Sequence, residues 1–335
     1  MSRNNCKSVI RNEKGQSVVM VAIFMSLLLG LTAIVTDVGY LFFQRRHVQN
    51  TADAAALAGA RALIDGDESI DQIVYQDVKA YVENNGLNEN NILNKPELQG
   101  IRKSNDDTQV PVVLGTEHSL FFARVFGFAQ GGVEARAVAE MGPLDTIEGG
   151  VIPIGVPFEV IGSGEGQDID VIEFQMTFGP GNWGWISFEG TGNQFNPNTI
   201  ANLLIAGYKG DIAVLPVPEQ DSHECEEDPC PYCIQTRTGA ANEAMRTSID
   251  YLMGDNETGQ PIPVYVPVIQ SGAVGEGTSS FQIVGFAQII LTAETGNPAF
   301  WTITANVLRN TVGVGIVNPG RDATEFDVYG VRLIE

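Results

Sequence analysis

Between Ser17 and Val35 the chain carries no charged residue and almost no polar one. A helix needs about 20 such residues to cross the hydrocarbon core of a bilayer. This run restricts the possible folds more than any other feature, because a helix that is apolar all round has no side to turn toward water. A cleaved secretory signal is the competing reading, but its apolar centre would be about 7 to 15 residues long and would lead into a small-x-small cleavage site. Here the run is longer, and Asp37, Tyr40, Phe42 and Phe43 follow it. The sequence therefore predicts an uncleaved, single-pass anchor. Arg3, Lys7, Arg11 and Lys14 precede the span, against Arg45 and Arg46 after it. The heavier basic flank stays inside, which places residues 1–14 in the cytoplasm as a short tail and everything after about residue 40 in the periplasm or beyond. Tyr40, Phe42 and Phe43 suit the outer interface, where amphipathic rings sit at headgroup depth.

The helical signal continues past the bilayer. Ala52, Ala54, Ala55, Ala56, Ala58, Gly59, Ala60 and Ala62 form a run of strong helix formers with a single glycine. One helix over 15–63, on the order of 70 Å long at 1.5 Å per residue, is the expectation. Ala52, Ala55, Ala56, Gly59 and Ala62 recur at steps of three and four, giving a face of small side chains that lets another helix approach closely. Two uses of that face are compatible: contact with a partner helix, or packing on the chain's own first domain.

Charge is split along the chain. Residues 1–61 hold seven Lys or Arg against Glu13, Asp37 and Asp53, whereas the remainder holds 12 basic and 38 acidic residues. An exterior this acidic repels nucleic acid and excludes DNA binding as a function. Hydrophobic residues make up 44% of the 335 residues, enough for the outer part to fold around real cores.

After the long helix, Asp65-Gly66-Asp67 makes a turn, and Ser69 can cap a helix with Ile70, Ile73, Val74, Val78, Tyr81 and Val82 on one face, ended by Gly86. The acidic turn lacks the ligand ladder of a calcium loop and is read as solvated. Strands are expected at 98–103 and 109–114 around the turn Ser104 to Asp107, then a helix from about Glu117 to Phe126 with Leu120, Phe121, Val125 and Phe126 as its apolar set, then a strand from Val133 to Met141. Gly142-Pro143 and Gly149-Gly150 mark a boundary. Beyond it, strands are expected at 151–161, 170–178, 183–188, 211–217, 262–269, 281–292, 300–307 and 325–334, with helices at 197–206 and 239–253. Ile152 to Pro157 echoes Ile262 to Pro267, and the prolines confine both to edges or bulges.

Motifs for chemistry are few. His118 beside Ser119 has no Asp or Glu placed by sequence to orient it and reads as a surface pair at a helix start. Gly162, Gly164 and Gly166 are followed by strand residues, not by the helix a dinucleotide loop requires. No G-x-S-x-G occurs, and His47, His118 and His223 are the only histidines. His223-Glu224 opens like a zinc-protease motif, but Glu227 occupies the position of the second histidine and prolines interrupt the helix it needs. His223, Cys225, Cys230 and Cys233 form a candidate metal set, although four ligands within eleven residues leave little protein for the groups that orient them. In an oxidising compartment a disulfide among Cys225, Cys230 and Cys233 is the default, with one thiol left over. Trp183, Trp185, Phe188 and Phe195 are either a sugar-binding platform or core; Trp183, Trp185 and Ser187 on one face with Gly184, Ile186 and Phe188 on the other fit a strand buried on both sides.

The block Gly15-Gln16-Ser17, the apolar span, Asp37-Val38-Gly39, Arg45-Arg46 and above all Gln49-Asn50-Thr51-Ala52-Asp53-Ala54-Ala55-Ala56-Leu57-Ala58-Gly59-Ala60 resembles the N-terminal region of TadE/TadG-like proteins of the tight-adherence (Flp) pilus-assembly system. Phe121-Phe122-Ala123-Arg124-Val125-Phe126-Gly127, followed by Val133-Glu134-Ala135-Arg136-Ala137, is similar to the end of the same module, so the likeness covers about residues 10–141. Gly181 to Trp185 and Val284 to Ala287 resemble, more weakly, segments of the larger exported domains of such proteins. The resemblance implies a bacterial cell-envelope protein of the inner membrane. Processing after Gly15 would follow prepilins, but the glutamate that pilins carry five residues on is Met20 here. The Asp-x-Ser-x-Ser signature of the von Willebrand A domain of some TadG proteins does not occur.

The sequence thus predicts an α+β chain: a tail (1–14), a transmembrane helix running into an Ala-rich extension (15–63), a small α+β module (64–141) and a β-rich exported domain (142–335). The expected role is non-catalytic, in assembly or anchoring of a tight-adherence pilus. Its partners would be the membrane and other pilin-like or platform proteins, with no cofactor, metal, nucleic acid or small-molecule substrate. The rival reading is a tethered surface protein whose β-rich domain binds a ligand such as a glycan.

Overall fold

The computed structural model describes residues 14–65, 70–98, 108–158, 171–178, 185–188, 196–214, 233–237, 242–269, 280–297, 300–308, 311–320 and 327–334. Helix α1, Lys14–Ala62, is a single 49-residue helix, about 70 Å long at 1.5 Å per residue. Its first half is apolar enough to cross a membrane and lies almost entirely uncovered by the rest of the chain. Its second half is packed. The chain is α+β: a long N-terminal apolar helix followed by a β-rich region with helices.

Helix α2, Ile70–Asn84, buries Val74, Val78 and Val82 as its spacing predicts, while Tyr81 turns outward. Gly86, at φ 81°, ends the segment in the left-handed region that a side chain would resist. A short helix α3, Lys95–Leu98, stands where a strand was expected to begin, and residues 99–107, with the expected turn, lie outside the described residues. Strand β1 is Gln109–Ser119 and strand β2 is Gln130–Glu148. They form an antiparallel hairpin registered from Gln109 opposite Glu140 to Ser119 opposite Gln130. Ala135, Ala137 and Ala139 on one face of β2 meet the small residues of α1, so helix and sheet approach closely around a core that includes Val48, Ala52, Ala55, Ala56, Val78, Val110 and Val112.

Strand β2 does not stop at Gly142-Pro143. Gly142-Pro143 lies inside a 19-residue strand, and Gly149-Gly150 follows its end. The second region is built from β3 (Val156–Pro157), β4 (Val171–Phe178), β5 (Trp185–Ser187), helix α4 (Pro197–Ala206), β6 (Asp211–Ala213), β7 (Cys233–Arg237), helix α5 (Glu243–Met253), β8 (Val264–Ile269), β9 (Ser280–Asn297), β10 (Phe300–Leu308), β11 (Thr311–Val312), β12 (Gly315–Val317) and β13 (Val328–Leu333). One sheet runs β1-β2-β13-β11, with β12 and β6 also on β2; the other runs β3-β8-β9-β10-β4, with β7 joining β5 to β9. Strand β13 pairs with Ala139 to Pro143, and Arg332 donates from Nε to Glu140 Oε1 at 2.7 Å, so residues 328–333 complete the first sheet. A third core, with Leu144, Ile186, Ile212, Phe281, Phe286 and Val328, draws on strands of both sheets.

Helices α4 and α5 cover one face of the second sheet. Asn196 caps α4 by accepting from Asn198 and Thr199 N–H, Asn242 caps α5 by accepting from Met245 N–H, and Asn242 Nδ2 also donates to Asn198 Oδ1 in the first turn of α4. The two echoed Ile-Pro segments are neighbours: Val156 and Pro157 pair in parallel with Val268 and Ile269, and Val151 bridges Tyr265.

Candidate functional site at the foot of the long helix

The hairpin β1–β2 lies lengthwise along α1. Its contacts step up the helix in register: the tip touches Asp37, a Cβ on Gly131 would meet Leu41 Cδ1 at 3.0 Å, Gln49 Nε2 donates to the Arg136 carbonyl at 2.9 Å, and a Cβ on Gly59 would meet Val110 and Val78 at 2.8 Å. Gln49 also donates to Asp53 Oδ1 at 2.8 Å, one turn along α1, so Gln49 of the Gln49 to Ala60 string ties the helix to the sheet and Asp53 holds its amide.

At the foot of this ladder the Asp37 carboxylate, 5% exposed, accepts three backbone N–H groups: from Phe121 at 2.8 Å, from Phe122 at 3.0 Å and from Ala123 at 2.6 Å. An ionised carboxylate is acceptor-only, and three successive amides curled toward it form an anion-binding nest. Tyr40 sits edge-on to Phe121 at 5.5 Å and to His118 at 5.7 Å. The first charged residue after the span is thus tied to a turn 84 residues further along the chain.

That turn corrects the sequence reading. Glu117 to Ser119 belong to strand β1, and only Ala123–Phe126 make a short 3₁₀ turn, closed by Gly127 at φ 91°. The expected helix fails because Phe121, Phe122 and Ala123 turn their amides to Asp37 and not to carbonyls of a preceding turn. Leu120 is buried, whereas Phe121, Phe122, Val125, Phe126 and Phe128 are exposed. His118 ends a strand, with Nε2 2.9 Å from the Thr116 hydroxyl, so it is not part of a helix-start pair with Ser119.

The small-residue face is occupied by the chain itself. Ala52, Ala55 and Ala56 are fully buried, Ala62 is 2% exposed, and the space at Gly59 is filled by the two valine side chains. A second helix has no room there in this fold. Trp185 is 1% exposed in the core beneath α4 and α5, while Ile186 and Phe188 enter the core shared by both sheets. The strand is buried on both sides, and neither Trp185 nor Phe188 contributes to an open sugar platform. Trp183, Phe195, His223, Cys225, Cys230 and the glycines at 162, 164 and 166 lie outside the described residues. Cys233 opens strand β7, opposite Gln282 of β9, a strand that the acidity and prolines of the preceding loop hid from sequence reasoning. Among the described residues no three His, Cys, Asp or Glu side chains gather as metal ligands would.

Residues 15–62 match the Tad family model, described as Flp pilus-assembly TadE/G-like. This stretch is TadE/TadG-like. The matched residues coincide with α1 almost end to end, from the start of the apolar span to the last buried alanine. No curated protein and no solved structure matches the chain. The match over this helix points to involvement in Flp pilus assembly and to association with the membrane and pilus-system proteins. Asp37 and the Phe121 to Gly127 segment were each visible in the sequence; that one exists to hold the other was not.

Proposed function

We propose that this chain is a non-catalytic, membrane-anchored component of Flp pilus assembly or anchoring, acting through helix–helix interactions of its N-terminal helix. The observation that carries the proposal is the family match over residues 15–62, which falls on a helix with one half open and the other locked to its own domain. Because Ala52, Ala55, Ala56, Gly59 and Ala62 are covered, the interacting surface is assigned to the apolar span, where Met20, Phe24 and Leu31 among others are exposed. Its partners are other pilin-like subunits or the assembly platform, met within the bilayer, where packing and not the hydrophobic effect drives helix association. The N-terminus lies in the cytoplasm, on the basic-flank argument, and the β-rich region faces the periplasm or exterior. Residues 64–141, completed by β13, form the module that grips α1.

Photo-crosslinking residues placed at Phe24 and Leu31 in piliated cells test this. Adducts with another pilus component, together with loss of surface pili on deletion of the chain, are the expected result. Lipid adducts alone from both positions, with undiminished pili after deletion, would overturn the proposal.

A further inference from the structure

We propose that the tip of the β1–β2 hairpin, residues 120–128, is a second membrane contact, seating Phe121, Phe122, Val125, Phe126 and Phe128 in the headgroup–acyl boundary of the leaflet through which α1 leaves the bilayer. The inference rests on α1 crossing that bilayer.

Three observations converge. The first is the patch itself. These five side chains are 45% to 82% exposed within eight consecutive residues, and Arg124 is the only charge between Ser119 and Gln130. Apolar side chains scattered singly over a surface need no explanation, but a contiguous group of this kind marks a contact. The second is depth. Ser17 to Thr36 spans about 30 Å at 1.5 Å per residue, which is the thickness of the hydrocarbon core. Asp37 is the next residue, and its carboxylate holds the amides of Phe121, Phe122 and Ala123. The tip is therefore pinned at the level where hydrocarbon gives way to headgroups and cannot swing away from it. The third is continuity. Tyr40 packs edge-on to Phe121, Phe42 and Phe43 lie exposed beside them, and Arg46 lies over the Phe42 ring at 5.4 Å. Aromatic rings of this kind at the end of a span are what a membrane interface selects.

The occupant is thus lipid of the same bilayer, not a second protein. A span alone leaves tilt and rotation free, whereas an interfacial anchor beside it sets both. Because the tip is continuous with the sheet that grips α1 from Leu41 to Gly59, this second contact fixes the direction in which the whole exported part stands on the membrane.

The full chain, reconstituted in 3:1 phosphatidylcholine:phosphatidylglycerol vesicles with or without bromine on the acyl chains, tests the inference. Trp is introduced singly as Phe126→Trp, Val125→Trp, Val314→Trp or Ile23→Trp, and emission is compared with the unsubstituted chain. These positions are exposed, so none of the substitutions strains the fold. The emission added by Phe126→Trp or Val125→Trp is expected to fall by about half in brominated vesicles, as for a ring at the interface, while that of Val314→Trp is unchanged. Quenching of Ile23→Trp alone, with both tip variants behaving like Val314→Trp, would overturn the tip contact and leave the anchor intact. An unquenched Ile23→Trp would instead remove the span on which it rests. In cells, a photo-crosslinker at Phe126 that yields protein adducts and no lipid adducts would also overturn it.

Discussion

Gly59→Ala is the smallest change that distinguishes a helix face buried in its own fold from one kept open for a partner. The added methyl would lie 2.8 Å from Val110 Cγ1 and 2.8 Å from Val78 Cγ2. Both valines are fully buried, one on β1 and one on α2, so neither short side chain has space to retreat into. Overpacking of this kind costs about 1–3 kcal/mol. Alanine in place of a helical glycine returns about 1 kcal/mol of propensity, leaving a net loss of about 0–2 kcal/mol. Gly39→Ala, on the same helix, meets nothing within 4 Å and keeps the propensity gain without the clash. The two variants should therefore differ by about 1–3 kcal/mol, or about 2–12 °C in Tm at 2–4 °C per kcal/mol. Thermal unfolding of the full chain in detergent micelles, followed by far-ultraviolet circular dichroism, reads the difference. A Gly59→Ala protein that melts at or above Gly39→Ala would refute the packing argument. Leucine at Gly59 or Ala55 enlarges the same clash and should deplete the chain from the membrane through misfolding, where an open docking face would leave its level unchanged.

Two further outcomes are expected. Glu89 accepts from Tyr75 Oη at 2.6 Å and pairs with Lys79 at 3.0 Å, with Lys95 further off; the tyrosine hydrogen bond foremost, then Lys79, holds its carboxyl down at about 2, while burial and Glu89 push Tyr75 up to about 12. A depressed carboxylate stabilises the fold above its unfolded value of 4.5, so this contribution should fade as pH falls from about 4.5 toward 2; the raised tyrosine contributes below pH 10 and should fade from about 10 to 12. Glu89→Gln should flatten the acid limb of a Tm-against-pH curve, and an unaltered limb would exclude Glu89 as its source. For topology, protease added to spheroplasts should digest residues 142–335, and a membrane-impermeant thiol reagent should label one of Cys225, Cys230 and Cys233 before reduction and all three after it. Labelling of all three without reductant would remove the disulfide, and protection until lysis would reverse the orientation.

Much of the architecture is legible wherever local pattern and burial agree. The continuous apolar and alanine-rich run needs no tertiary partner to become helical, and α1 ends within a residue of the expected place. Helix α4 begins where Asn196-Pro197 puts a cap and a first-turn proline together, and the alternation at Trp185 to Phe188 already shows a strand with two apolar faces. The tip at 120–128 misled for the converse reason. Its apolar residues have helical spacing, and spacing records that side chains avoid water without recording whether protein or lipid receives them.

What the sequence by itself determined is the set of elements whose cause is local: the span, its continuation, the capped helices and the alternating strands. What only the tertiary structure decided is which distant groups answer one another. Asp37 finds the Phe121, Phe122 and Ala123 amides across 84 residues or more, Arg332 reaches Glu140 from the far end of the chain, and Val78 and Val110 fill the space beside Gly59. A carboxylate, an arginine or a glycine is written one residue at a time, but the donor, acceptor or methyl that completes it is chosen by how the long helix and the hairpin lie side by side. The energy of each contact belongs to that arrangement and to no stretch of sequence alone.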